Sequence, residues 1–247
     1  IVEIIKKNYT ARSSQLSSFL SVSEMTIRRD LAVLERQGMV KRTHGGAVFH
    51  HERVTSKFKY KSNVEINYEE KVCITLKAAE LIEPHDVVFI GEGTTTALLL
   101  RHIKPDMPLT AITNNQGIAT EIDNSATAIE LIYLGGVFNS HTFATAGNFT
   151  LEMIERFYAN KVFLGADGFS LRAGLTTANK DIAAINRAMI RHTAGSVIIM
   201  SDYSKRGLVA AMEIAKPNEI DILVTNKKMS LDFHHDMKSF DIEVIMV

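Results

Sequence analysis

With one cysteine, Cys73, among 247 residues, the chain has no internal partner for a disulfide and no paired-cysteine spacing of the kind a zinc site requires. Nothing points to an extracellular, cross-linked scaffold. No apolar run approaches the roughly 20 residues of a membrane helix. The opening Ile1-Val2-Glu3-Ile4-Ile5-Lys6-Lys7 lacks the form of a secretory signal. The first residue is Ile1 rather than Met, so a few residues are expected to precede it. The simple expectation is a cytoplasmic protein without a cofactor. A charge of one sign is missing overall, since 28 Lys and Arg stand against 28 Asp and Glu.

That neutrality hides a division. Residues 1–61 carry 12 Lys or Arg against 5 Asp or Glu, a balance of +7, and the remainder 16 against 23, a balance of −7. A basic segment on an acidic body suits a polyanion-binding head joined to a domain that does not itself seek nucleic acid. The length is enough for two unequal domains. The expected division is a head over 1–50, a linker over 51–68 and a body over 69–247.

In the head, Ile1, Val2, Ile4 and Ile5 line a first helix, expected to begin before the sequence does. Leu16, Phe19 and Leu20 give a second helix, with Ser13 or Ser14 as its cap. Ser21-Val22-Ser23 reads as a tight turn, and Ser23 caps a third helix running to about Gln37, where Gly38 stops it. Ile27, Leu31 and Leu34 share the buried stripe of that helix, leaving Thr26, Arg28 and Arg29 outward near its N-terminal end. This is the build of a recognition helix, whose first turns enter the major groove. Met25 and Ser23 lie close enough to take part. Two strand-like pieces around Gly45-Gly46 then make a hairpin. It reads as a wing, with Lys41, Arg42 and His44 placed for phosphates or the minor groove.

The body alternates helical patterns with short branched apolar runs. Strands are expected over 87–90, 109–113, 129–134, 162–164, 197–200 and 222–225. Helices are expected over 69–82 (with Val72, Leu76 and Ala79 on its buried face), 151–157 and 183–192, with another through 97–100. Such alternation favours a mostly parallel sheet covered on both faces, with ligands beyond the carboxyl ends of the strands. Polar and glycine motifs recur at those ends: Gly91-Glu92-Gly93-Thr94-Thr95-Thr96, Asn114-Asn115, Gly135-Gly136, Gly165-Ala166-Asp167-Gly168 and Asp202-Tyr203-Ser204-Lys205. Glycine permits close approach, and amides at a helix start hold phosphate. Gly93, Thr94, Thr95 and Thr96 are the expected phosphate loop, with Lys205 as counter-charge. Asn114, Asn115 and Asp167 are expected on sugar hydroxyls, with Gly135 and Gly136 in the same rim.

Two stretches resemble the DeoR family of bacterial transcriptional regulators. In the head these are Thr26-Ile27-Arg28-Arg29-Asp30-Leu31, Leu34-Glu35, Gly38 and the wing Arg42-Thr43-His44-Gly45-Gly46-Ala47. In the body they are Glu70-Lys71, Gly93-Thr94-Thr95, Thr113-Asn114, Leu134-Gly135-Gly136, Gly147, Gly165, Gly168, Gly174-Leu175-Thr176 and Asp202-x-Ser204-Lys205-x-Gly207. The resemblance implies a winged helix-turn-helix followed by a sensor domain that shares its fold with ribose-5-phosphate isomerase and glucosamine-6-phosphate deaminase. It further implies a repressor of carbohydrate catabolic genes answering to a phosphorylated sugar or a related metabolite. The chain departs from the family pattern at Gly91 and Asn226, where Asp is usual, and at Ile182 and Asn186, where Glu and Lys are usual.

The rival reading is a sugar-phosphate isomerase or deaminase with an appended DNA-binding domain. Catalysis would need a positioned acid and base. Glu92, Asp167, Asp202 and Lys205 supply charges, but no spacing pairs them, and a non-enzyme is expected. His234-His235-Asp236 reads as an exposed turn before the last strand, and no metal site is expected. One short helix reads few bases, so double-stranded operator DNA is expected to be bound by a homo-oligomer, dimer or tetramer.

Overall fold

The computed structural model of the protein describes residues 1, 4–5, 10–36, 40–43, 45–49, 63–64, 66–122, 128–226, 237 and 239–247. The expectations for Gly38, His44, His234-His235-Asp236 and most of the 51–68 linker lie outside the described residues. The chain divides into two compact units, Ile1–Ser56 and Lys57–Val247.

In the first unit, strand Thr10–Arg12 (β1) runs directly into helix Ser13–Leu20 (α1), followed by helix Glu24–Arg36 (α2) and strands Val40–Thr43 (β2) and Gly46–Phe49 (β3). The hairpin of the sequence reading is present as β2 and β3. β1 adds a third strand on the far side of β3. The sequence gives no sign of this strand, because three residues hold no alternating pattern and its partner lies far along the chain. Its presence also corrects the cap of α1. The chain enters that helix straight from a strand, so Arg12 takes the cap position and Ser13 is buried. The Ser13 amide donates to the carbonyl of Gly45 at 2.8 Å, and Gln15 Oε1 accepts from the Arg12 amide at 3.0 Å. Gly46 lets the strands close up, since a Cβ there would lie 2.1 Å from the carbonyl oxygen of Ala11. Ile5, Leu16, Ile27, Leu31, Val40 and Ala47 form the core.

The second unit begins with helix Tyr68–Ala79 (α3) and strand Val87–Ile90 (β4), then a 3₁₀ helix over Thr96–His102. Next come strand Leu109–Thr113 (β5), helix Gln116–Glu121 (α4) and strand Ile129–Tyr133 (β6). A hairpin, Val137–Asn139 (β7) and Ala144–Ala146 (β8), leads to helix Asn148–Ile154 (α5) and strand Ala159–Leu164 (β9). Strands Gly168–Ser170 (β10) and Gly174–Thr177 (β11) precede helix Lys180–Arg191 (α6) and strand Thr193–Met200 (β12). Met212–Ala215 (β13), Ile222–Thr225 (β14) and Glu243–Met246 (β15) complete the unit.

Seven strands form one parallel sheet in the order β15-β14-β12-β9-β4-β5-β6. The period of two sorts its side chains. Phe89, Val162, Leu164, Val197, Ile199 and Leu223 face α5 and α6. Val88, Ile90, Phe163, Ile198, Met200 and Val224 face α3, the 3₁₀ helix and α4. Every strand expected over 87–225 belongs to this sheet. The short antiparallel pieces, β7 with β8 and β10-β11-β13, escape a sequence reading because they span three or four residues each.

The helix expected through 97–100 is present as the 3₁₀ helix Thr96–His102, and one expectation in this unit is corrected. The buried residues of α3 are Lys71, Ile74, Thr75, Ala78 and Ala79; Ala79 is buried as expected, Val72 is half-buried and Leu76 is 48% exposed. Two polar residues sit on the true stripe, so counting apolar residues alone misplaces Leu76.

Candidate functional site

The outward face of α2 forms as its spacing requires. Ile27 and Leu31 are buried, Met25 is 76% exposed, and Thr26, Arg28 and Arg29 are exposed beside it. Ser23 Oγ accepts from the amide of Thr26 at 3.1 Å and lies 2.9 Å from its hydroxyl, which caps the helix as expected. Arg28 reaches Glu24 at 3.4 Å across an exposed turn, a pair weak enough in water to exchange for another anion. In the wing, the Arg42 amide is held by Glu35 Oε1 at 2.9 Å. Lys41 belongs to β2.

The second unit has a topological switch. From β4 the chain proceeds to β5 and β6 on one side, whereas β9 lies on the other side and continues to β12 and β14. In open parallel sheets such a switch is where a ligand crevice is expected, beyond the strand ends and between the loops leaving β4 and β9. Residues 91–96 and 165–167 follow those two strand ends. A Cβ on Gly93, where φ is +147°, would lie 3.1 Å from Thr96 Oγ1 and 4.0 Å from Gly165 Cα.

The first loop is tied down from three directions. Thr96 Oγ1 donates to the carbonyls of Gly91 and Gly93 at 2.9 and 3.1 Å, Asn115 Nδ2 to that of Gly93 at 3.1 Å, and Thr75 Oγ1 to that of Thr95 at 3.4 Å. Its carbonyls are thus engaged. The amides of Gly93, Thr94 and Thr95 donate to no acceptor among the described residues. Successive amides left over in this way form a concavity suited to an anion.

The other expected site residues divide. Asp167 borders the crevice, and its Oδ2 accepts from Thr177 Oγ1 at 3.0 Å and from the Ala178 amide at 2.9 Å. Lys205 closes the turn after β12, two strands from β4, or about 10 Å across the sheet. Asn115 caps α4 through the Gly117 amide at 2.9 Å. Asn114 is buried, with Nδ2 on the carbonyl of Thr145 at 2.8 Å and Oδ1 without a partner. Gly135 and Gly136 follow the edge strand β6 and pack against α5. Gly135 accepts from Thr150 Oγ1 at 2.8 Å, and a Cβ on Gly136 would lie 2.1 Å from that same oxygen.

Sequence reasoning does not place Lys71 in the site. It lies one turn before Thr75 on the face of α3 that meets the Thr95 carbonyl, and it is 5% exposed. Burial pushes its ammonium below the ordinary lysine value, Asp202 pulls it back up and Lys205 presses it further down. All three charges are therefore within electrostatic reach. A lysine at helix spacing from a buried threonine is the signal that could have found it.

Two departures from the family pattern also prove to be one. A Cβ on Gly91 would lie 2.9 Å from Asn186 Oδ1 and 2.6 Å from Leu164 Cδ2. Asn186 is buried and its Oδ1 has no partner. The Asp and Lys usual at these positions would face each other, and here both charges are gone together.

No group of three or more His, Cys, Asp or Glu among the described residues could hold a metal ion, and no described helix is long and apolar enough to cross a membrane.

Comparison with known proteins agrees with this anatomy. Residues 1–53 match a DeoR-like helix-turn-helix domain, and residues 66–227 match the DeoR C-terminal sensor domain. The HTH-type transcriptional regulator GlpR of Haloferax volcanii is 32% identical over 99% of this chain and 94% of its own length. The HTH-type transcriptional repressor GlcR of Bacillus subtilis is 31% identical over 92% and 86%. A putative aga operon transcriptional repressor of Escherichia coli is 28% identical over 100% and 91%. Among solved structures, a ribose 5-phosphate isomerase A from Methanocaldococcus jannaschii matches 57% of this chain and 55% of its own at 16% identity and a TM-score of 0.42, too loose a likeness to carry weight. Matched from head to body by the family's two domains, this chain belongs to the DeoR family of helix-turn-helix transcriptional regulators.

Proposed function

We propose that this regulator represses carbohydrate catabolic genes as a homo-oligomer on double-stranded operator DNA, under the control of a phosphorylated sugar or a related metabolite. Ser23, Met25, Thr26, Arg28 and Arg29 read or position the major groove, and Lys41, Arg42 and His44 of the wing hold flanking phosphates. The observation that carries the sensor half is the set of three unpaired amides at Gly93, Thr94 and Thr95, opening on the switch crevice. A phosphate there meets the hydroxyls of Thr94 and Thr95, with Lys205 and Lys71 as counter-charges and Asp167 toward the sugar, while the buried Thr96, Asn114 and Asn115 hold the loops in place. The rim glycines Gly135 and Gly136 act through their packing.

Binding without turnover fits the carboxylates. Asp167 and Asp202 already serve as acceptors, the latter to Asn67 Nδ2 at 3.2 Å and the Ser204 amide at 2.8 Å. Neither stands free as a base.

The test is to capture fragments of the source genome with the full chain near physiological salt and to sequence those retained. Recovery of a few sites with repeated half-sites is expected, and their neighbouring genes nominate the sugar phosphate. Uniform, salt-labile retention would count against a specific operator. Arg28→Ala with Arg29→Ala should abolish site preference, at about 1–3 kcal/mol for each arginine–base pairing removed, while phosphate binding is unchanged. Wild-type preference in that variant would sink the recognition face.

A further inference from the structure

The residues that lead into α3 are fastened at two points, one on α3 itself and one on the 202–205 turn. Lys71 Nζ donates to the carbonyl of Asn63. Asn67 Nδ2 donates to Asp202 Oδ1 at 3.2 Å. Asn67 precedes the first residue of α3, yet its side chain makes no cap there. With φ at 52°, it turns its amide onto the 202–205 turn instead.

The first of these fastenings is chemically mismatched. Lys71 is 5% exposed, and its hydrogen-bond partner is a neutral carbonyl. Asp202 offsets part of the burial from a distance, yet no carboxylate is hydrogen-bonded to the ammonium among the described residues. A phosphate dianion is the stronger partner, because charge-assisted hydrogen bonds are roughly twice as strong as neutral ones. The competing partner would not be distant. Thr75, one turn along the same face of α3, touches the Thr95 carbonyl of the loop with the unpaired amides.

We propose that Lys71 is the switching residue of the sensor: a phosphate held by residues 93–96 draws its ammonium from the carbonyl of Asn63, and the chain leading into α3 is then released from that helix and held by the Asn67–Asp202 bond alone. The proposal rests on the phosphate reading of the crevice. Ligand state then reaches the chain that precedes α3 through one exchange of hydrogen-bond partner, without any movement of the sheet. Both Lys71 and Asn67 contribute, so the loosening spreads over the residues between them.

Hydrogen exchange on the full chain tests it, with inorganic phosphate as the probe and sodium chloride at equal ionic strength as the control. Phosphate should slow exchange over 93–97 and quicken it over 63–71 by about tenfold. Slowing over 93–97 with no quickening over 63–71 overturns the switch and leaves the phosphate site standing. No slowing over 93–97 at saturating phosphate overturns both. Lys71→Gln, checked for folding by circular dichroism, should exchange quickly over 63–71 without phosphate and show no further rise with it. Lys71→Arg should retain the response. Asn67→Gly keeps the left-handed backbone at φ 52°, removes the bond to Asp202, and should quicken 63–71 while the loop still responds. Wild-type protection over 63–71 in both Lys71→Gln and Asn67→Gly would overturn the proposed fastening.

Discussion

At the scale of single residues, the buried pair formed by Gly91 and Asn186 governs what charge the end of β4 can hold. Gly91→Asp alone places a carboxylate against a neutral amide oxygen, and it should cost about 3–5 kcal/mol as a buried charge without a counter-ion. Adding Asn186→Lys should recover part of that loss. The double-mutant cycle, followed by urea denaturation, is expected to show a favourable coupling of about 0.5–3 kcal/mol. Additive losses would mean that the two positions do not meet as the structure has them. Lys71 makes a second prediction. Its folded-state value is lowered from the ordinary 10.5 by burial, so between the lowered value and 10.5 the unfolded chain binds more protons than the folded one. Stability should therefore rise with pH through that window relative to Lys71→Met. Urea midpoints of the two proteins that run parallel across the window would contradict this.

At the scale of elements, α2 shows the division of labour most plainly. Its buried stripe and its reading face follow from the same 3.6-residue period. Leu31→Ala removes a fully buried side chain from a core with few members and should cost the first unit about 2–5 kcal/mol. Operator binding is expected to disappear in this variant, while phosphate protection over 93–97 persists. Loss of both would show that the second unit depends on the first. The sequence makes α2 and the parallel strands legible because each carries its own period. It leaves β1 and the β10-β11-β13 sheet unread, since strands of three or four residues exist only through partners distant in the chain. On α3 it misplaces Leu76, because the polar Lys71 and Thr75 are buried there and no apolar count rewards that.

At the scale of the whole molecule, the opposed charges of the two portions of the chain predict how DNA binding responds to salt. Each phosphate neutralised by the basic head should add about 0.9 to the slope of log affinity against log salt. Arg42→Ala should lower that slope by about one without altering site preference, whereas Arg29→Ala should lose preference. Fluorescence anisotropy across a salt series on specific and scrambled sites separates the two effects. An Arg42→Ala variant that changed preference would move the wing from reading phosphates to reading bases. On the proposed function, a phosphorylated effector that relieves repression should weaken operator binding, as anisotropy with and without the effector would show. By linkage, operator DNA should weaken effector binding by the same factor.

The sequence by itself determined that a basic head with an arginine-bearing helix precedes an acidic body of alternating strands and helices. Local periods, caps and charges are properties of neighbouring residues, so they survive without the fold. Only the tertiary structure decided which strand ends face one another. The order β12-β9-β4-β5 places the loop after the first body strand beside the loop after the fourth, and Gly91 against Asn186. That order depends on how crossovers pack helices on the two faces of the sheet, an energy shared among residues far apart in the chain. For the same reason, the meeting of Asn67 with Asp202 became visible only once the chain had closed on itself.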